Sequence, residues 1–306
     1  LSAESIDLSR FQKKPLRERA LPYLIFAPAL LITIGILYPF VSAIYYSLTN
    51  YSFMRSTYKF IWFKNWYSMF SDPAFWHAAW VTAKYSCSVI VCQMVLGLGL
   101  GLLICKKTNW FTSALRIILV FPLMIAPVIA TIIWQLMTNT SVGILEKFLN
   151  IFGIYGFPWA ASQSTALMTA VMIDVWVNTP FIIVLVVAGI NSLPKSPFEA
   201  AQVDGASAWF TFKNLTLPML KPFLYIALIF RLMASMQEYA IIFALTKGGP
   251  GNTLMNLSLT AYNRAFYYKR FAEAMPYILF LWIVIFFISK FLVGRWLRVQ
   301  KAAAGR

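Results

Sequence analysis

Charge is scarce in this chain. Only 12% of its 306 residues are charged and 60% are hydrophobic, a balance that soluble domains rarely show and that points to several membrane spans. Cysteine and histidine are scarcer still. Cys87, Cys92 and Cys105 fall in one apolar run without metal-ligand spacing, so they are expected as small buried hydrophobes. His77 is the only histidine, which excludes a multi-histidine zinc site and leaves any histidine-based nucleophile relay resting on one residue. No G-x-x-x-x-G-K-[ST] stretch occurs, so if ATP is used, another chain must bind it. No convergent nucleophile, base or metal cluster is evident, which argues against a membrane-embedded enzyme. The short apolar core and small-residue cleavage site of a secretory signal are also missing, so the first apolar run is expected to be retained.

What is present is long apolar segments. Six runs are long enough to cross a bilayer as helices, at about 22–48, 81–105, 114–138, 165–190, 222–245 and 274–294. The expected fold is all-α, a polytopic membrane protein with about six transmembrane helices. An even number of spans puts both ends of the chain on one side. That side carries Arg10, Lys13, Lys14, Arg17, Arg19, Lys106, Lys107, Arg116, Lys195, Lys213, Lys221, Arg295, Arg298, Lys301 and Arg306. The other holds Arg55, Lys59, Lys64, Lys147, Lys247, Arg264, Lys269 and Arg270. By the positive-inside rule both termini are cytoplasmic, and the formal charge of +16 reads as topology rather than nucleic-acid binding.

Between the first two runs, the stretch from Tyr45 to Trp80 is dense in aromatic rings, as expected of an outer connector at headgroup level. His77 is expected at that interface. Asp72 before Pro73 has the form of an N-cap and first helical residue. "GLGLGLL", with Gly97, Gly99 and Gly101, resembles a dinucleotide fingerprint, but it lies inside an apolar helix and reads as close helix packing. Pro122, Pro127, Pro180 and Pro276 each remove a helical hydrogen bond. They fit either kinks that shape a bundle or broken helices along a water-filled path.

The segment after the fourth run is unusually polar. In "SLPKSPFEAAQVDGASAWFTFK", Ser196, Pro197 and Glu199 have capping-box spacing and start a helix at about Pro197. Gly205 ends that helix in a left-handed conformation, and a second begins around Ser207 carrying Trp209, Phe210 and Phe212. Such aromatic surface suits a partner's groove.

"EAAQVDGASAWFTFKNLTLPMLKP" resembles the EAA loop of permease subunits in binding-protein-dependent ABC importers, with Leu215 where isoleucine is commoner. "WYSMFSDPAFWHAAWVTAKYS", "DVWVNTPFIIVLVVAGINSLPKSPFEAA" and "ALTKGGPGNTLMNLSLTAYNRAF" are similar to stretches of the carbohydrate-importing class, particularly subunits like the first maltose-type permease. The resemblance implies a tail at 1–21, a permease domain at 22–294 with its coupling loop at 195–222, and a second tail at 295–306. It implies that Glu199, Ala200, Ala201, Asp204 and Gly205 dock on an ATPase dimer, which would hold the ATP and Mg, so that this chain binds no cofactor. The implied partners are a second permease, a periplasmic solute-binding protein and a carbohydrate, with an acidic oligosaccharide such as alginate as the expected kind, in a bacterial inner membrane. "TKGGPGNT" suits either an outer turn or a contact with the binding protein.

Ionisable groups inside spans mark interior positions. Asp174, Asn178 and Phe181 repeat at i, i+4 and i+7, as do Arg231, Ser235 and Glu238, so each set forms a helix face. These six positions are similar to those by which maltose-type permeases hold sugar, which implies substrate contact. An ion pair among Asp174, Arg231 and Glu238 fits the same residues. An ion-gradient-driven secondary transporter of a small polar solute is the alternative function, although no convincing inverted repeat is found.

Overall fold

A computed structural model describes residues 16–54, 57–105 and 110–303. The basic residues up to Lys14, with Arg55, Lys106, Lys107 and Arg306, lie outside them. Among the described residues the fold is helical, apart from an isolated bridge between Thr49 and Phe60. Five helices are long and apolar enough to cross a membrane, and a bent pair makes a sixth crossing if counted as one span.

Helix α1 (Leu16–Ser47) leads through the aromatic connector to the short α2 (Lys64–Ser71) and then to α3 (Pro73–Cys105). The backbone N–H of Ala74 donates to Asp72 Oδ1 at 2.9 Å, so the aspartate caps α3 as its sequence position predicts. This helix therefore starts well before residue 81. Its buried face holds Tyr85, Ser86, Val89 and Gln93 and packs along α7 (Ala166–Ser192). A Cβ on Gly97 would stand 2.6 Å from Ile182 Cβ, and one on Gly101 2.6 Å from Val186 Cγ1, so two of the three glycines bring α3 and α7 together. Gly99 faces open space. Cys87 and Cys92 also point outward and Cys105 is half-buried, which corrects the expectation of buried thiols. In lipid a small apolar side chain gains little by turning inward, because the surroundings are as apolar as the core.

The third run is not one straight span. It divides into α4 (Trp110–Val120), a 3₁₀ turn (Phe121–Met124) and α5 (Pro127–Met137), and the two arms bend by 107°. Pro122 and Pro127 lack N–H donors, and Ala126 is extended (ψ 137°), as a residue before proline prefers. A surface helix α6 (Ile144–Ile151) then precedes α7.

After α7 come α8 (Ser196–Val203) and α9 (Ala208–Thr211), and α9 passes through a π turn (Phe212–Thr216) into α10 (Leu217–Met236). The fifth crossing thus runs from Ala208 to Met236. It stops earlier than expected: Gln237 ends the helix, and α11 (Ala240–Thr246) starts anew. Beyond it, α12 (Leu257–Tyr262) and a π turn (Asn263–Tyr267) lead to α13 (Phe271–Ala303), which packs on α10 and α1.

The tight α3–α7 contact carries a prediction. Gly97→Val should lower the thermal transition of the purified protein, since overpacking costs about 1–3 kcal/mol, whereas Gly99→Val should leave it unchanged. Equal transitions in both variants would mean that α3 and α7 are not locked at Gly97.

Candidate functional site

Two polar features stand out on this apolar frame, one projecting from the bundle and one inside it. The projecting feature is the α8–α9 loop. Helix α8 begins at Ser196 and its cap residue, Lys195, makes no side-chain bond. The expected capping box at Ser196 is therefore not formed. Proline is tolerated anywhere in the unpaired first turn, which lets the helix extend back past Pro197.

The helix ends as its glycine predicts. Gly205 has φ +68°, the Ala206 N–H donates to the Ala201 carbonyl at 2.9 Å, and the Gly205 N–H donates to Gln202 at 3.2 Å. This pair of bonds is a Schellman cap, which needs a left-handed residue where Gly205 stands. Ser207 then accepts from the Phe210 N–H at 3.2 Å and caps α9. Glu199, Ala200, Asp204 and Gly205 are exposed and Ala201 is half-buried. Ala200, Ala201 and Asp204 line a groove of about 530 Å³ with Phe210 and Leu215. Val203 is 87% exposed, Trp209 69% and Phe210 53%. A loop with such apolar surface is shaped to be covered.

The interior feature is a hydrogen-bonded ion pair. Asp174 on α7 is fully buried and Arg231 on α10 is 7% exposed. Asp174 Oδ1 accepts from Arg231 Nη2 at 2.7 Å, Asn178 Nδ2 at 2.8 Å and Gln93 Nε2 at 3.0 Å. Its Oδ2 accepts from the Tyr85 hydroxyl at 2.7 Å. Arg231 Nε donates to Gln93 Oε1 at 2.8 Å, which closes the ring across α3, α7 and α10. The carboxylate is fully engaged, as a buried charge requires.

Of the six predicted positions, the structure brings Asp174, Asn178 and Arg231 together. Phe181 lies two turns along α7 from Asp174, with its ring centroid 6.1 Å from that of Phe230. Ser235 is buried and donates to the Leu232 carbonyl of its own helix at 3.2 Å. Glu238 does not continue the Arg231–Ser235 face, because α10 ends at Met236. Instead its Oε1 accepts from the Ile241 N–H at 2.8 Å and starts α11. Tyr85 and Gln93 were missed by reading charges alone. Their eight-residue spacing, a little over two helical turns, keeps both within one broad face and was the available signal.

Between α11 and α12, Lys247, Gly248, Gly251 and Asn252 all have positive φ. His77 Nε2 donates to the Asn252 carbonyl at 3.0 Å, tying this loop to the start of α3. Arg264 pairs with Asp72 and lies 3.8 Å from Glu273, and its guanidinium stands 4.8 Å from the Tyr277 ring centroid. This joins the start of α3 to that of α13.

Residues 93–300, which include the α8–α9 loop and all of the interior feature except Tyr85, match the binding-protein-dependent transport system inner membrane component family. The chain belongs to that family. Among relatives of this permease, the trehalose/maltose transport system permease protein MalF of Thermococcus litoralis is 32% identical, over 96% of this chain and all of that one. The sulfoquinovosyl glycerol transport system permease protein SmoG of Agrobacterium fabrum is 32% identical over 80% of each chain. The permease also shares its fold with a bacterial ABC transporter involved in import of the acidic polysaccharide alginate. There the TM-score is 0.78 at 20% identity, over 92% of this chain and 97% of that one. The alginate transporter in complex with its pentasaccharide-bound periplasmic protein gives a TM-score of 0.79 at 20% identity, over 90% and 94%. The chain is an inner-membrane transport component, and the ion-gradient alternative does not fit this family.

Because Asp174 is buried with its partners, removing either charge strands the other. Asp174→Ala is expected to destabilise the permease by about 3–5 kcal/mol, with Asp174→Ala/Arg231→Met recovering much of the loss. Thermal unfolding of the detergent-solubilised variants measures this; a single variant as stable as the parent would exclude a structural ion pair.

Proposed function

We propose that this permease is one translocation subunit of an ATP-driven importer of carbohydrate. It takes its cargo from a periplasmic solute-binding protein and works beside a second, different permease. The observation that carries the reading is the exposed helix–glycine–helix loop, joined without a break through α9 to the fifth crossing. A push on Trp209 or Phe210 has a continuous helical path to Arg231. The partner pushing there is a separate ATPase dimer that binds ATP and Mg and carries out hydrolysis. Glu199, Ala200, Ala201, Asp204 and Gly205 form the joint, on the cytoplasmic side with both termini.

Relatives named for trehalose and maltose, starch degradation products and sulfoquinovosyl glycerol support a carbohydrate cargo. Asn178, Phe181, Ser235 and Glu238 would offer it hydrogen bonds and a ring face, beside the Asp174–Arg231 pair. Arg231 is already neutralised by Asp174. This favours a neutral sugar over an acidic one. An acidic oligosaccharide is the second reading, in which its carboxylate replaces Asp174 on Arg231.

Two measurements test these assignments. With binding protein present, the complete complex in proteoliposomes should hydrolyse ATP faster with neutral oligosaccharides than with uronate-containing ones. The reverse preference would select the second reading, and no response to any sugar would remove the carbohydrate assignment. Glu199→Lys should reduce uptake to the level of an ATPase-inactive complex while both permeases and the ATPase still copurify; parental uptake would rule out the coupling role.

A further inference from the structure

The inner end of α13 carries a groove that the transport reading does not use. It lies on this helix alone and is formed by Phe287, Lys290, Phe291, Gly294, Arg295 and Arg298, enclosing about 460 Å³. Gly294 makes the floor, since nothing lies within 4 Å of where its Cβ would be. Phe287 and Phe291, 62% and 60% exposed, form the apolar side. Lys290, Arg295 and Arg298 are exposed, and Arg295 lies 5.3 Å over the Phe291 ring. Among the described residues none of the three cations has a carboxylate partner, and no acidic residue follows Glu273 in the sequence.

The depth of this groove suits a bilayer boundary. Lys290 is about 29 Å along the helix from Phe271, close to the hydrocarbon thickness of about 30 Å. Arg298 lies about 12 Å farther, which spans the headgroup layer. Phe287 therefore stands at the level of acyl chains, Lys290 and Phe291 at the boundary, and Arg295 and Arg298 at the level of phosphates. A positive-inside bias accounts for charge at this end. It does not account for a glycine floor and two rings facing the same cations.

The geometry points to a site for an anionic glycerophospholipid on α13, its phosphate held by Lys290, Arg295 and Arg298 and its upper acyl chain against Phe287 and Phe291. The site rests on the reading of the chain as a bilayer-spanning permease with this end at the inner headgroup layer. Charge complementarity selects the occupant, because three unpaired cations gain most from an anionic headgroup.

The test uses the whole transporter complex in nanodiscs of phosphatidylcholine, alone or mixed with phosphatidylglycerol or cardiolipin. Lipid retained after transfer to detergent is counted by native mass spectrometry. The parent complex is expected to retain the anionic lipids in preference to phosphatidylcholine. Arg298→Gln should weaken retention about fivefold, the effect of one cation at an anionic surface. Gly294→Leu keeps every charge but fills the floor, and it too should lose retained lipid while sugar-stimulated ATP hydrolysis shows the complex to be intact. Equal retention of phosphatidylcholine, or full retention by Gly294→Leu, would overturn the site. Displacement by inorganic phosphate would reassign it to a soluble anion. Loss of the ATPase subunit from either variant would make it a protein contact instead. Lipid selectivity absent while ATP hydrolysis persists would refute the site alone, whereas failure of the transport reading would show as loss of sugar-stimulated hydrolysis in the parent.

Discussion

The paired charges of Asp174 and Arg231 are the constraint around which the interior is arranged. Charge in a membrane interior is tolerated only when it is paired and hydrogen-bonded. Here the pair recruits partners from the neighbouring α3, Tyr85 and Gln93, and from α7 itself, Asn178. Three helices that lipid alone would leave free to slide are thereby held in one register. Gly97 and Gly101 act with it, because close approach of α3 and α7 brings the Gln93 amide within reach of both charges.

Where helices break, side chains take over the freed backbone groups, as a low-dielectric surrounding demands. Glu238 accepts the Ile241 N–H that starts α11. At the other end of α11, Gln135 Nε2 on α5 donates to the carbonyls of Ala244 and Leu245, both at 3.0 Å. Asn256 caps α12 by accepting from Leu259 at 2.9 Å and also donates to the Glu238 carbonyl. The breaks near Pro127 and Glu238 are thus tied to each other through α11. A broken crossing and its neighbour are built as one unit, with the polar track of Arg231 and Ser235 leading to it.

Legibility differed by the kind of interaction. The Asp72 cap, the left-handed Gly205 and the helix start around Ser207 were readable because each depends on a few adjacent residues. The capping box at Ser196 failed by a single residue, where proline leaves the start of a helix underdetermined. The outward-facing Cys87 and Cys92 were misread because apolarity does not distinguish core from lipid. Gln93 was overlooked because a neutral amide gives no signal in a search for charges, although it bonds both charged groups.

By itself the sequence determined that the chain lives in lipid, that its segments are helical, and that a polar helix–glycine–helix loop interrupts them. Composition and local backbone preference suffice for each. Only the tertiary structure decided that Asp174 on α7 meets Arg231 on α10, that the proline-rich third segment turns back by 107°, and that Glu238 serves a helix start. Those outcomes depend on which faces meet and on where a freed backbone group finds a partner. Neither is set by neighbours in the chain, because uniform apolar surroundings leave the choice of contact to packing and hydrogen bonding between distant residues.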